Sequence, residues 1–328
     1  MNRVTMEDVA REAQVSRALV SIAYRGVPGV SEKTRAKIFA AAERLGYVHN
    51  NIASRLAGKG SDTIGVFLQD LHNDVFADVY DGIRSVTTPA GIQLVLAVGG
   101  SDSVSESQAL STLISSRVDV VIAAGLTLSN NEVKRFSKLV RVITVARELA
   151  GIDAVYSDNF SGAQQATRHL IELGHTNIAF LSNPQTDGYL DRQRGYVEAM
   201  SSARLSPQVI ASSYSRSEAA EDARLSLTST SPPTAFFAHN DQAALGVLDA
   251  IVTLGLKPGV DVAVVGYDNS TISQMPITAL TTVNLDGAEL GRQAATLALS
   301  RLHNKKMPIE HIVLNPELVV RQSSVTTN

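Results

Sequence analysis

From residue 63 onward, short apolar runs rich in β-branched and aromatic residues alternate with stretches of helical periodicity, and few folds accept that alternation. The runs lie at 64–68, 94–98, 118–123, 142–145, 178–181, 235–238 and 262–266. Strands apolar at successive positions need cover on both faces, and the intervening helices supply it. The expected fold for this part is doubly wound α/β with parallel sheets. Residues 62–328 suit two such lobes better than one, although no Pro- or Gly-rich linker marks a boundary between them.

Ahead of residue 63 the texture changes. Met6, Val9, Ala10 and Ala13, then Leu19, Val20 and Ala23, then Ile38, Ala41, Ala42 and Leu45 recur at helical spacing, with no strand-like run among them. Thr5-Met6-Glu7-Asp8 reads as a capping box that starts a helix at Met6, which should end near Ala13. After the turn at Gln14-Val15, Ser16 can cap a second helix reaching about Ala23, with Leu19, Val20 and Ala23 inward and Arg17, Ala18, Ser21 and Ile22 outward. Ser31 opens a third helix and Gly46 closes it. Two helices joined by so short a turn fit a helix-turn-helix, whose second helix enters the major groove; any small helical bundle shows the same spacing. Charge separates the two parts. Residues 1–60 carry ten Lys and Arg against five acids, while the rest carries 19 against 27, so a chain of net charge −3 divides into +5 and −8. A basic front before an acidic body suits a polyanion met by the front alone, and chance clustering on solvated helices accounts for the numbers equally well.

Val4-Thr5-Met6-Glu7-Asp8-Val9-Ala10, Val15-Ser16, Val20-Ser21, Val30-Ser31-Glu32-Lys33-Thr34-Arg35 and Leu45-Gly46-Tyr47-Val48-His49-Asn50 closely resemble the headpiece of the lactose-repressor (LacI/GalR) family of bacterial transcription regulators. The resemblance continues in family order to the carboxyl terminus. It implies a small all-α helix-turn-helix headpiece at 1–48, a hinge helix and linker at 49–61, and at 62–328 a two-lobed α/β body like a periplasmic binding protein, which binds effector and dimerises. It further implies a cytoplasmic homodimeric repressor on a pseudo-palindromic operator, with a sugar or polyol as effector. Two alternatives stay open: control by a phosphorylated carrier protein, and a ligand needed as corepressor. The DNA-contacting set is then Thr5, Ser16, Arg17, Ala18, Ser21, Ile22 and Ser31, with Asn50, Ala53 and Leu56 in the hinge. Ala18 and Ile22 offer only apolar contact, which leaves Arg17 as the bidentate reader of guanine. Leu56 matches the leucine that wedges a base step from the minor groove, and Ala53 the small residue where two hinge helices meet. The family usually has Thr, Arg and Asn where this chain has Leu19, Ile22 and Tyr24, and Gly at Gln14.

In doubly wound sheets ligands bind beyond the carboxyl ends of strands, so polar residues placed there are the first candidates. They are Gln69 and Asp70 and on to Asn73 and Phe76 after the first run, Arg147 after the fourth, Arg192 at the start of a helix, His239, Asn240 and Asp241 after the sixth, and Asp268 after the most apolar late run. Of these, Asn73, Phe76, Arg147, Arg192, Asn240 and Asp268 form the candidate effector set. An arginine fork, an amide and a carboxylate can each hold two neighbouring hydroxyls, though an amide or carboxylate after a strand also serves as a helix cap. The family's usual Asn-Pro-Phe-Phe stands here as Asn73-Asp74-Val75-Phe76. No phosphate loop, dinucleotide fingerprint, nucleophile elbow or histidine pair at metal spacing is present, so neither an enzyme, a cofactor nor a metal is expected. The absence of cysteine excludes a disulfide scaffold. Acidic Glu7 and Asp8 stand where an export signal needs an apolar run, and no stretch reaches the roughly 18 apolar residues of a membrane helix.

Overall fold

The computed structural model describes residues 4–25, 28–47, 62–100, 102–183, 187–213, 215–304 and 306–325. The chain divides into two compact units, Met1–Ser61 and Asp62–Asn328.

The first unit is helical: α1 (Met6–Glu12), α2 (Arg17–Arg25) and α3 (Glu32–Leu45). At the start of α1 the Asp8 carboxylate accepts from Thr5 N at 2.9 Å and from Thr5 Oγ1 at 2.7 Å, and Thr5 Oγ1 accepts from Asp8 N, which closes the capping box. Ser31 caps α3 through Thr34 N at 3.2 Å, and Gly46 ends it in the left-handed region that glycine tolerates, φ +64°. Val9, Ala13, Val20, Ala23, Ile38 and Ala41 form the core. Helix α2 runs on to Arg25, past the expected end at Ala23. Ser21 and Ile22, expected to face outward, are half-buried, Ile22 because the chain returns past it at Gly29. Tyr24 meets Phe39 and Tyr47 edge-on at 5.1 and 5.8 Å, so this departure from the family pattern serves packing. Gln14 adopts φ +49°, which explains why the family favours glycine at this turn.

The second unit holds two six-stranded sheets. The first is ordered β2 (Gln93–Val98), β1 (Thr63–Leu68), β3 (Val120–Ala124), β4 (Arg141–Val145), β5 (Asp153–Ser157), β11 (His311–Leu314). The second is ordered β7 (Gln208–Ala211), β6 (Ile178–Ser182), β8 (Ala235–Ala238), β9 (Ala263–Asp268), β10 (Thr281–Asn284), β12 (Glu317–Val319). All neighbours run parallel except β12 on β10. The helices between them are α4 (Asp74–Thr87), α5 (Ser103–Ser115), α6 (Asn130–Ser137), α7 (Asn159–Glu172), α8 (Asp187–Ser202), α9 (Arg216–Leu227), α10 (Asp241–Thr253) and α11 (Gly287–His303).

One winding thus occurs twice, and in each copy the strand order reverses next to its first strand, between β1 and β3 and between β6 and β8. A crevice opens at such points beyond the carboxyl ends. The chain crosses between lobes three times, after β5, β10 and β11. Helix α11 leaves the second lobe to pack on α4 of the first, so closely that a side chain at Gly82 would strike the backbone of Ala288 and one at Gly291 that of Val79. Arg301, fully buried on α11, clamps Asp153 of β5 with Nε at 2.8 Å and NH2 at 2.5 Å, fixing the helix to its sheet.

Candidate functional site

A cleft with about 590 Å³ of unfilled space, part of it open to solvent, lies at the carboxyl ends of β1, β3 and β4 and reaches Arg192 and Asp268 of the second lobe. Its first-lobe wall is mainly apolar, with Val75, Phe76, Val79, Leu126 and Val145. Asp268, the last residue of β9, has φ +117° and is followed by Asn269 at +56°. Non-glycine residues in such conformations cost on the order of 1–3 kcal/mol each and persist only where the surroundings hold them. The Asp268 carboxylate stands 3.7 Å from Arg192 NH1 and accepts from Asn73 Nδ2 at 3.4 Å. Arg192 also donates from Nε to Asn159 Oδ1 at 2.8 Å and from NH1 to the His239 carbonyl, and its guanidinium lies 3.7 Å over the Tyr267 ring.

Burial dominates the electrostatics. It pushes the Asp268 carboxyl up to about 7, with Arg192 opposing and the nearby Asp241 reinforcing. Burial likewise pushes Asp241 up to about 6 against hydrogen bonds from Thr282 and Ser270. The direction is the same for both carboxyls: burial favours the protonated form, and a carboxyl in either form can accept from a hydroxyl.

The other sequence-derived candidates divide. Asn73 Oδ1 caps α4 through Val75 N at 3.2 Å while its amide serves Asp268, and Phe76 forms cleft wall. Arg147 also lines the cleft, but its fork is committed: NH1 donates to the carbonyls of Leu126 and Leu128 at 3.1 and 2.6 Å, and NH2 to Asn130 Oδ1 at 2.5 Å. Buried Glu106 grips the same loop, accepting from Thr127 N at 3.0 Å, Thr127 Oγ1 at 2.7 Å and Leu128 N at 3.0 Å. Asn240 lies outside the cleft lining and caps α10 through Ala243 N at 2.8 Å. Its Nδ2 and the Oδ1 of Asn183, at the end of neighbouring β6, are buried with no hydrogen-bond partner among the described residues. Gln69, directly after β1, lines the cleft as the strand-end rule expects, whereas Asn183, directly after β6, does not line it. Leu285 and Leu290, which also line the cleft, carry no comparable signal.

In the first unit Ser16, Arg17 and Ala18 are exposed at the start of α2. Ser16 Oγ accepts from Leu19 N at 3.2 Å, and the exposed hydroxyls of Thr5 and Ser31 belong to the caps already described. Asn50, Ala53 and Leu56 lie outside the described residues. Among the described residues, no cluster of three metal-ligating side chains occurs and no helix is long and apolar enough to cross a membrane.

Residues 5–50 match the group described as bacterial regulatory proteins, lacI family, and residues 167–324 a periplasmic binding protein-like domain. The chain is 30% identical to Catabolite control protein A of Priestia megaterium over 330 residues, 98% of this chain and 99% of that one. The structure of the lac repressor dimer bound to operator and the anti-inducer ONPF superposes with TM-score 0.87 at 28% identity, over 99% of this chain and 100% of that one. A complex of the regulator CelR with cellobiose gives TM-score 0.72 at 27% identity, over 98% and 100%. A helix-turn-helix unit, a twice-wound body and likeness along nearly the whole length converge: the chain belongs to the lacI family of bacterial regulatory proteins and is a DNA-binding transcriptional regulator.

Proposed function

We propose that this regulator is a homodimeric repressor whose operator affinity is set by a small uncharged sugar or polyol held between Arg192 and Asp268. The buried Arg192–Asp268 pair at 3.7 Å carries this reading. A carboxyl set against a guanidinium offers acceptor and donor side by side, which suits the neighbouring hydroxyls of an uncharged ligand. The cellobiose held by the CelR neighbour supports the same ligand class. For the dimer, a second copy has apolar ground to cover at edge strand β2, where Leu96 and Val98 are exposed, and on the second lobe at Val252 and Ile277, the latter 93% exposed. Residues 49–61, with Leu56 as wedge and Ala53 at the helix–helix contact, are assigned as the hinge entering the minor groove. Arg17, at the exposed start of α2, is assigned as guanine reader, with Ser16, Ala18, Ser21 and Ile22 beside it.

Calorimetry of the full chain with neutral sugars, polyols and sugar phosphates tests the effector. A neutral compound should bind and change operator affinity; tighter binding of a phosphorylated sugar, or a response only to a phosphorylated carrier protein, overturns the reading. Arg17→Ala should cost about 1–3 kcal/mol at one base pair per half-site. A uniform loss over operator variants in gel shift reassigns Arg17 to phosphate.

A further inference from the structure

Two successive left-handed residues, Asp268 and Asn269, close β9, and a buried network fastens them from behind. Asp241 Oδ2 accepts from Ser270 N and Ser270 Oγ, both at 2.8 Å. Asp241 Oδ1 accepts from Thr282 Oγ1 at 2.6 Å, and Thr282 Oγ1 in turn accepts from Asn269 N at 3.3 Å. Arg321 NH2 donates to Asn269 Oδ1 at 2.7 Å. Each residue of the turn after Asp268 is therefore tied by at least one side chain from another element. Asp241 and Thr282 are almost completely buried, and neither lines the cleft. The cap of α10 is already supplied by Asn240, so both oxygens of Asp241 go to holding the turn and its Thr282 support.

We propose that Asp241 and Thr282 are positioning residues that fix the turn at 268–270, and with it the direction in which Asp268 meets an effector, and so set effector affinity without touching the effector. This rests on the assignment of the cleft as the effector site. Thr282 is the sharper probe because changing it alters no charge: Thr282→Val removes the hydroxyl and keeps the shape, and Thr282→Ser returns the hydroxyl.

The test uses the full chain with carboxyl-13C aspartate, Asp268→Asn identifying the Asp268 resonance, and calorimetry with D-ribose and cellobiose as probes. In Thr282→Val the Asp268 resonance should move by more than its line width and return in Thr282→Ser. Whichever probe binds the wild type should bind Thr282→Val about tenfold more weakly, the worth of one lost hydrogen bond, and Thr282→Ser nearly as well as wild type. An unmoved resonance in Thr282→Val overturns the proposal, as does equal weakening in the Val and Ser variants. Asp268→Asn in the same titration separates the two readings. Unchanged affinity there removes the cleft assignment itself, whereas loss there beside full affinity in Thr282→Val removes only the positioning role. If neither sugar binds the wild type, the resonance alone decides.

Discussion

Two arginines line the cleft from opposite lobes, Arg147 after β4 at 7% exposure and Arg192 on α8 at 5%. Arg147 gives its fork to the carbonyls of Leu126 and Leu128 and to Asn130, acceptors whose positions the loop itself determines. Arg192 faces a carboxylate at 3.7 Å, too long for a good direct hydrogen bond and close enough for ligand hydroxyls to bridge. Arg192 is bonded as well, through Nε to Asn159 Oδ1 and NH1 to the His239 carbonyl, but it alone of the two also faces a buried carboxylate that lines the cleft. Burial and backbone-carbonyl acceptors are common to both, so what separates them is the cleft carboxylate that Arg192 alone faces.

The largest effect that could break this contrast is at Asp268. Asp268→Ala should lower effector affinity about a hundredfold or more, since two hydroxyls each lose a partner worth roughly 1–3 kcal/mol. Operator binding in gel shift should persist without the ligand response, and a variant that melts early or keeps full response returns Asp268 to a structural role.

The first lobe should answer differently. Arg147→Ala leaves two buried carbonyls unpaired, and Glu106→Gln opposes an amide to the N–H groups of Thr127 and Leu128. Each should cost about 2–3 kcal/mol and lower the melting temperature by several degrees. Arg147→Ala that melts normally but no longer binds effector would abolish the asymmetry.

The smallest effect concerns protons. Asp268 and Asp241 sit at about 7 and about 6, above the ordinary carboxylate value of 3.8, so between those values the native state keeps protons that the unfolded chain has released. Stability is then fully present at the acid side of that window and declines as pH rises through it. The melting temperature should fall as pH rises from about 5 to about 7. Asp268→Asn should flatten that slope, and an unchanged slope would place the titration elsewhere.

Much of this architecture was legible because burial writes itself into apolar runs. The seven runs read from the sequence became β1, β2, β3, β4, β6, β8 and β9. Strands β7 and β11 escaped because they are short and alternate half-buried with exposed residues, as edges do. Strand β10, Thr281-Thr282-Val283-Asn284, hid for the opposite reason: its threonines are buried but hydrogen-bonded, Thr281 to Arg321 O and Thr282 to Asp241. In the cleft, the strand-end rule reached Asp268; Arg192, expected at the start of a helix, lines the cleft from the second turn of α8, which begins at Asp187. The strand-end rule could not reveal where the Arg147 fork points, because the direction of a loop's carbonyls leaves no mark on residue types. Nor could it reveal the turned backbone at Asp268 and Asn269, where no glycine signals a positive φ.

The three passages between lobes have a mechanical consequence. The first and third are bonded together, Asp158 N to the Leu314 carbonyl at 3.0 Å and Gln165 Nε2 to the Pro316 carbonyl at 3.0 Å, and the second leads directly into α11. Two bodies joined by three such straps resist sliding and twisting, and the freedom left to them is rotation about the line of the straps. A molecule lodged between the walls can then be reported as a single quantity, the angle at which the body stands open.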